Sequence, residues 1–245
     1  KTMMYKSIGI FLSIFVMAHS KNTLPSVPIS TFSIIARDSE TNELGVAVQS
    51  KFIAVGSVVP YAKAGIGAVA SQAWGNVQYG PVGLKLLSQG IRTEQIIALM
   101  IKTDPLQKHR QVAIINQDGN TSNHTGTECL NWAGTRSGKN FSVQGNLLTG
   151  PQVVEAMANS FKKSSGFLAE RLIMALQAGQ DAGGDKRGMQ SAALLVVKEN
   201  WGYGGLNDRF RDLRVDDHSN PIQELNRIYK IHRKIFPRPD QHTKP

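Results

Sequence analysis

Apolar and polar positions along the chain fall into runs that predict strands and helices in a definite order. Thr31–Arg37 and Leu44–Ser50 are β-like runs on either side of a polar turn at Asp38–Glu43, which reads as a hairpin. Gly65–Ser71 is a third strand built of small residues, whose glycines invite another backbone or a ligand to come close. A helix opens at Gly80 and Pro81, runs through Leu84, Leu86 and Leu87, and stops at Gly90. A second helix covers Thr93–Ile101 with Thr93 as its cap. Arg110–Gln117 and Thr121–Thr125 form a strand pair around the turn signal Asp118–Gly119, and Phe141–Gln144 adds one more strand.

The period then lengthens. Pro151–Lys163 buries Val153, Val154, Met157 and Phe161 at helical spacing, and Gly166–Gln180 does the same with Leu168, Leu172, Ala175 and Leu176. Gln190–Val197 is apolar on both faces, so it belongs in the middle of a sheet. A strand near Leu213–Val215 and an amphipathic helix carrying Ile222, Leu225, Ile228, Tyr229 and Ile235 close the chain. This order predicts an α+β protein with helices outside a central pair of sheets.

Composition changes the picture mainly at the ends. Apolar residues make up 41% and charged residues 19%, which suits a packed core. Lys1 and Lys6 flank the apolar run Ile8–Ala18, which is too short to span a bilayer and fits the core of a secretory signal. Small residues at Ala18 and Ser20 place cleavage after Ser20. The expected organisation is a signal peptide over 1–20, a linker over 21–30, one domain over 31–236 and a tail over 237–245. The product is expected to be secreted or periplasmic, with no membrane span after signal removal. Cys129 is the single cysteine, which excludes an internal disulfide and every cysteine-rich zinc module. The net charge of +10 is concentrated at the two ends, and no basic–aromatic interleaving is present, which argues against a nucleic-acid partner.

Several segments together resemble the family known as domain of unknown function 1028. They are Thr31–Asp38, Gly45–Val48, Ala54–Gly56, Val59–Pro60, Gly65–Gln72, Tyr79–Gly80, Val143–Asn146, Gly183–Ser191 and Leu213–His218, in consistent order from about residue 31 to residue 236. The family is grouped with the N-terminal-nucleophile hydrolases, so the resemblance implies a four-layer αββα sandwich and hydrolysis of an amide bond in a small or peptide-like substrate. It implies no cofactor and no metal, and it admits a homo-oligomer.

In that chemistry a residue exposed as the new chain start attacks with its side chain, while its own α-amine takes the proton. An α-amine has a pKa near ~8, against ~10.4 for lysine, so it can serve near neutral pH. The resemblance places Thr31 as the nucleophile, Lys63 as the cation that lowers its pKa, and Asp185 and Ser191 as the groups that orient it. Asn146 is the oxyanion donor or substrate contact. Cleavage after Ser20 would leave ten residues ahead of Thr31 and block its amine, so either further trimming occurs or Thr31 is not an N-terminal nucleophile. Read from their own surroundings, Gly183–Ser191 is also a turn in which Asp185 pairs with Arg187, or a nest of backbone N–H groups for an anion. Asp216, Asp217 and His218 are all acceptable to a metal but cannot all face one ion from a regular strand, so Asp217 and His218 fix a turn before Pro221 instead. Trp74, Trp132 and Trp201 pack in the core or line a pocket. The alternative to a hydrolase is a protein that binds a small ligand on the same fold without turning it over.

Overall fold

The structure, a computed structural model, describes residues 30–241. The expected signal peptide and nearly all of the expected linker lie outside the described residues. Among the described residues, ten strands and five α-helices form a mixed α+β arrangement with two antiparallel sheets. Strands β1 (Thr31–Arg37), β2 (Leu44–Ser50), β7 (Gly134–Gly138), β8 (Phe141–Gly145), β9 (Ser191–Val197) and β10 (Arg209–Val215) make a six-stranded sheet in the order β10-β9-β2-β1-β8-β7. Strands β3 (Pro60–Lys63), β4 (Gly67–Ala73), β5 (Arg110–Asn116) and β6 (Thr121–Thr125) make a four-stranded sheet in sequence order.

Alternation along β1 shows how the layers are built. Phe32, Ile34 and Ala36 point into an apolar cluster with Val154, Met157, Leu172 and Leu176 of α3 (Gln152–Lys163) and α4 (Leu168–Asp181). Ile35 points the other way, into a cluster shared with Val46, Val48, Ala68, Ala70 and Ile115, which joins the two sheets. The same cluster receives Leu195 and Val197 of β9, a strand buried along its whole length between β2 and β10 as its apolar run predicts. α1 (Tyr79–Ser88) and α2 (Thr93–Thr103) cover the outer face of the four-stranded sheet through Leu87, Ile96, Met100, Val112 and Ile114. α5 (Pro221–Ile235) packs Ile222, Leu225 and Tyr229 beside α4 on the six-stranded sheet.

Some expectations need correction. Thr93 is the first helical residue of α2 rather than its cap; Arg92 precedes the helix without a side-chain bond, and the Thr93 hydroxyl accepts from Ser122 Oγ at 2.9 Å. The glycine-rich third strand runs Gly67–Ala73 rather than Gly65–Ser71, and its glycine does admit another backbone: a Cβ at Gly67 would meet the Ile115 carbonyl oxygen of β5 at 2.3 Å and Leu87 Cδ1 of α1 at 2.5 Å. Residues 237–241, expected as tail, fold back, with Arg238 buried against Glu43 at 2.7 Å.

Candidate active site

The space between the sheets is not uniform along the strands. Around Ile35, Leu44 and Val46 it is dry and apolar; toward Thr31 it turns into a run of buried amides and hydroxyls. Ser33 Oγ donates to Gln72 Oε1 at 2.6 Å and accepts from Gln144 Nε2 at 2.7 Å. Gln72 Nε2 donates to Gln111 Oε1 at 2.8 Å, and Asn146 Nδ2 donates to the same oxygen at 3.1 Å. Gln111 Nε2 in turn bonds the Gly145 carbonyl at 2.9 Å and Thr125 Oγ1 at 3.0 Å. Buried amides are tolerated because their partners are supplied by one another.

Antiparallel register brings three hydroxyls into line at this end. Thr31 stands opposite Ser50, and Ser50 opposite Ser191, so all three point into the space between the sheets. Thr31 Oγ1 donates to Ser50 Oγ at 3.1 Å, and Ser50 Oγ donates to the Ser30 carbonyl at 2.5 Å. The Thr31 carbonyl accepts from the Asn146 backbone N–H at 3.0 Å and from Gln72 Nε2 at 3.3 Å. Asn146 thus adjoins Thr31.

Asp185 reaches the same place through Arg187. Its carboxylate accepts from Arg187 Nη2 at 2.8 Å, from Arg187 Nε at 3.1 Å and from the backbone N–H groups of Arg187 and Lys51. So held, Arg187 Nη2 donates to the Ser30 carbonyl at 2.9 Å. The peptide oxygen just before Thr31 therefore has two side-chain donors, one hydroxyl and one guanidinium. Asp185 is fully buried and acts on this point as a positioning group for Arg187.

Other expected members stand apart from Thr31. Ser191 Oγ donates to the Phe52 carbonyl at 2.5 Å and accepts from Val55 N–H at 3.1 Å, which ties down the loop after β2. Lys63 is exposed and pairs with Gly67 at the far end of β4 from Gln72, about 17 Å away at the usual strand rise. The glycine turn does not offer a free nest: the N–H groups of Gly183, Gly184 and Gly188 go to the carbonyls of Gln180, Gly179 and Asp185. Asp217 accepts from Gln190 and His218 from the Asn220 N–H, and no group of residues able to hold a metal occurs among the described residues. Cys129 is no rival nucleophile, since burial pushes its thiol up to about 11.

Three participants escaped the sequence reading. Ser50 ends β2 and Gln72 stands one residue before the end of β4; both look like ordinary polars until strand register sets Ser50, and the packing of one sheet on the other sets Gln72, against Thr31. Arg187 was visible only as the partner of Asp185; its second bond, to Ser30, spans 157 residues of chain.

Comparison with known proteins agrees with the segments that carry the resemblance. No curated protein matches the chain. A crystal structure of protein SPO2555 from Silicibacter pomeroyi, described as family DUF1028, is similar at 30% sequence identity and a TM-score of 0.76. The match covers 83% of this chain and 89% of that one. Residues 31–225 match the family of unknown function DUF1028, and the chain belongs to that family.

Proposed function

We propose that the protein is an amide hydrolase of the N-terminal-nucleophile type, exported from the cytoplasm, with Thr31 as its nucleophile. The observation that carries this reading is the treatment of the Ser30–Thr31 peptide: its carbonyl accepts from Ser50 and Arg187 while the Thr31 hydroxyl lies on Ser50. Two facing sheets with helices outside both are also the arrangement that the resemblance implies.

Removal of the residues before Thr31 would turn its nitrogen into an α-amine beside Arg187. The nearby cation disfavours the protonated amine and keeps it available as a base. A substrate carbonyl taking the place of Ser30 would find the same two donors, Ser50 Oγ and Arg187 Nη2, for the charge that develops on its oxygen. Thr31 Oγ1 forms the bond to the acyl carbon as its proton passes to the α-amine. That proton then goes to the leaving amine as the C–N bond breaks, and water releases the acid from the resulting ester. Lys63 has no part in this scheme; Arg187 supplies the cation instead.

The test is the intact mass of the mature protein together with labelling by an acylating probe. A chain beginning at Thr31, labelled there and silenced by Thr31→Ala but not by Thr31→Ser, is the expected result. A mature chain that retains residues before Thr31 would sink the amine-base mechanism. It would favour the second reading, a ligand-binding protein, which the closed hydrogen bonding of Gln72, Gln111 and Asn146 also suits.

A further inference from the structure

The opposite end of the six-stranded sheet carries a different kind of cavity. Between the loop 200–205, the start of β10 and the end of α5 lies a pocket of about 570 Å³, a size that suits a small organic molecule. Its walls are aromatic: Trp201, Tyr203, Phe210 and Phe236 all line it, with Trp201 set edge-on to Phe210 at 4.9 Å. Arg211 stands opposite Val196, five residues along β9 from Ser191, so the pocket is about 17 Å from the Thr31 end.

Arg211 is the unusual member of the lining. It is only 2% exposed, its guanidinium stacks 3.6 Å from the Phe210 ring centroid, and no carboxylate pairs with it among the described residues. Its Nη1 meets two neutral groups, the Phe210 carbonyl and His232 Nδ1, both at 3.3 Å. Its Nε is buried with no partner. Burial drives the pKa of this guanidinium down to about 10, so it is still a cation at neutral pH. His232 is shifted down by burial and then by Arg211, and stays neutral.

The neighbouring charges are already committed. Arg238 is held by Glu43 and Asp240, Arg233 by Glu170 and Arg209 by Asp212. Glu43 faces the same interior from the turn before β2, yet one oxygen serves Arg238 and Thr41, and the other, Oε1, makes no bond. The charge of Glu43 reaches Arg211 but no carboxylate bonds it, so a bound anion would supply the pairing that this buried guanidinium lacks.

We infer that this pocket is a binding site for a small organic acid, with its aromatic body between Trp201, Tyr203 and Phe236 and its carboxylate on Arg211. A guanidinium binds a carboxylate through paired N–H donors, and the burial of Arg211 itself strengthens such a pair. The site is separate from Thr31 and does not depend on the reaction proposed there.

The experiment compares acids with their neutral isosteres on the full protein: phenylacetate against phenylacetamide, and indole-3-acetate against indole-3-acetamide. Binding is followed by the Trp201 indole N–H resonance, assigned with Trp201→Phe. The acids should bind at least about tenfold more tightly than the amides, and Arg211→Met should erase that difference. Should Arg211→Met fail to fold, Tyr203→Ala tests the same site, because Tyr203 is 77% exposed and its loss should weaken the acids without lowering the melting temperature. Equal binding of acid and amide would overturn the proposal, as would no shift of the Trp201 signal with either. A dimer in sedimentation that Ile235→Glu splits, with no acid bound, would overturn it too and assign the exposed rim to a second copy.

Discussion

Gln49 shows how much one side chain can reveal about its layer. It lies on β2 opposite Phe32 and Ala192, fully buried, and neither its Oε1 nor its Nε2 has a hydrogen-bond partner. A buried amide without partners carries its full desolvation cost, about 1–3 kcal/mol. Gln49→Met keeps the volume and removes the polar atoms, so the urea midpoint should rise by a corresponding amount; a fall would mean that the amide has a partner in solution. Asp185 makes the opposite case. Removing its carboxylate strands Arg187 and releases the Lys51 N–H, so Asp185→Ala should lower stability by about 3 kcal/mol in urea unfolding. At this scale the sequence was partly legible. Thr31, Asn146 and Asp185 were picked from motifs and do gather at one end. Lys63 was misplaced because nothing in a local string tells which end of a short strand faces the site. Ser50 and Arg187 acquire meaning only once strands are set side by side.

At the scale of elements, α1, α2 and β5 are clamped by one carboxylate. Asp104, just after α2, accepts from Tyr79 Oη at 2.8 Å, Arg110 Nε at 2.9 Å and Asn76 Nδ2 at 3.0 Å. Burial works against its charge, but these donors and the Leu106 N–H outweigh it and hold the carboxyl below its ordinary value of 3.8. A carboxylate held low stabilises the fold above the ordinary carboxylate range and loses that contribution as pH falls through its folded value. The wild type should therefore lose stability below about pH 4, and Asp104→Asn should be less stable at neutral pH with a shallower acid decline, read from melting temperature against pH. Gly80 in α1 makes a second junction, since a Cβ there would sit 2.2 Å from the Tyr61 ring of β3. Gly80→Ala should push α1 off that edge strand and cost about 1–3 kcal/mol. Most elements were legible because their apolar period is strong. The exceptions were β3, four half-buried to exposed residues, and β7, whose Gly-Thr-Arg-Ser-Gly run has no apolar residue; both owe their form to a neighbouring strand.

Over the whole molecule, the segment after α5 is tied to the first hairpin. Arg238 crosses 195 residues to Glu43 beside the first hairpin, with its guanidinium stacked near Phe167 and Trp201. Arg238→Ala leaves the buried Glu43 carboxylate without its ion pair and bonded by a side chain only at the Thr41 hydroxyl, which should lower the melting temperature and open the residues after α5 to proteolysis while the rest of the domain stays intact.

The graded space between the sheets has a mechanical consequence. Apolar contacts resist separation but hardly resist sliding, because they are non-directional. Hydrogen bonds through Ser33, Gln72 and Gln111 do resist it, since each is spent within a few tenths of an ångström of displacement. The dry half therefore keeps the two sheets together, and the amide half keeps them aligned. Under hydrostatic pressure or mild denaturant, a chain carrying Gln72→Leu should remain compact yet lose the alignment that sets Asn146 of one sheet beside Gln111 of the other.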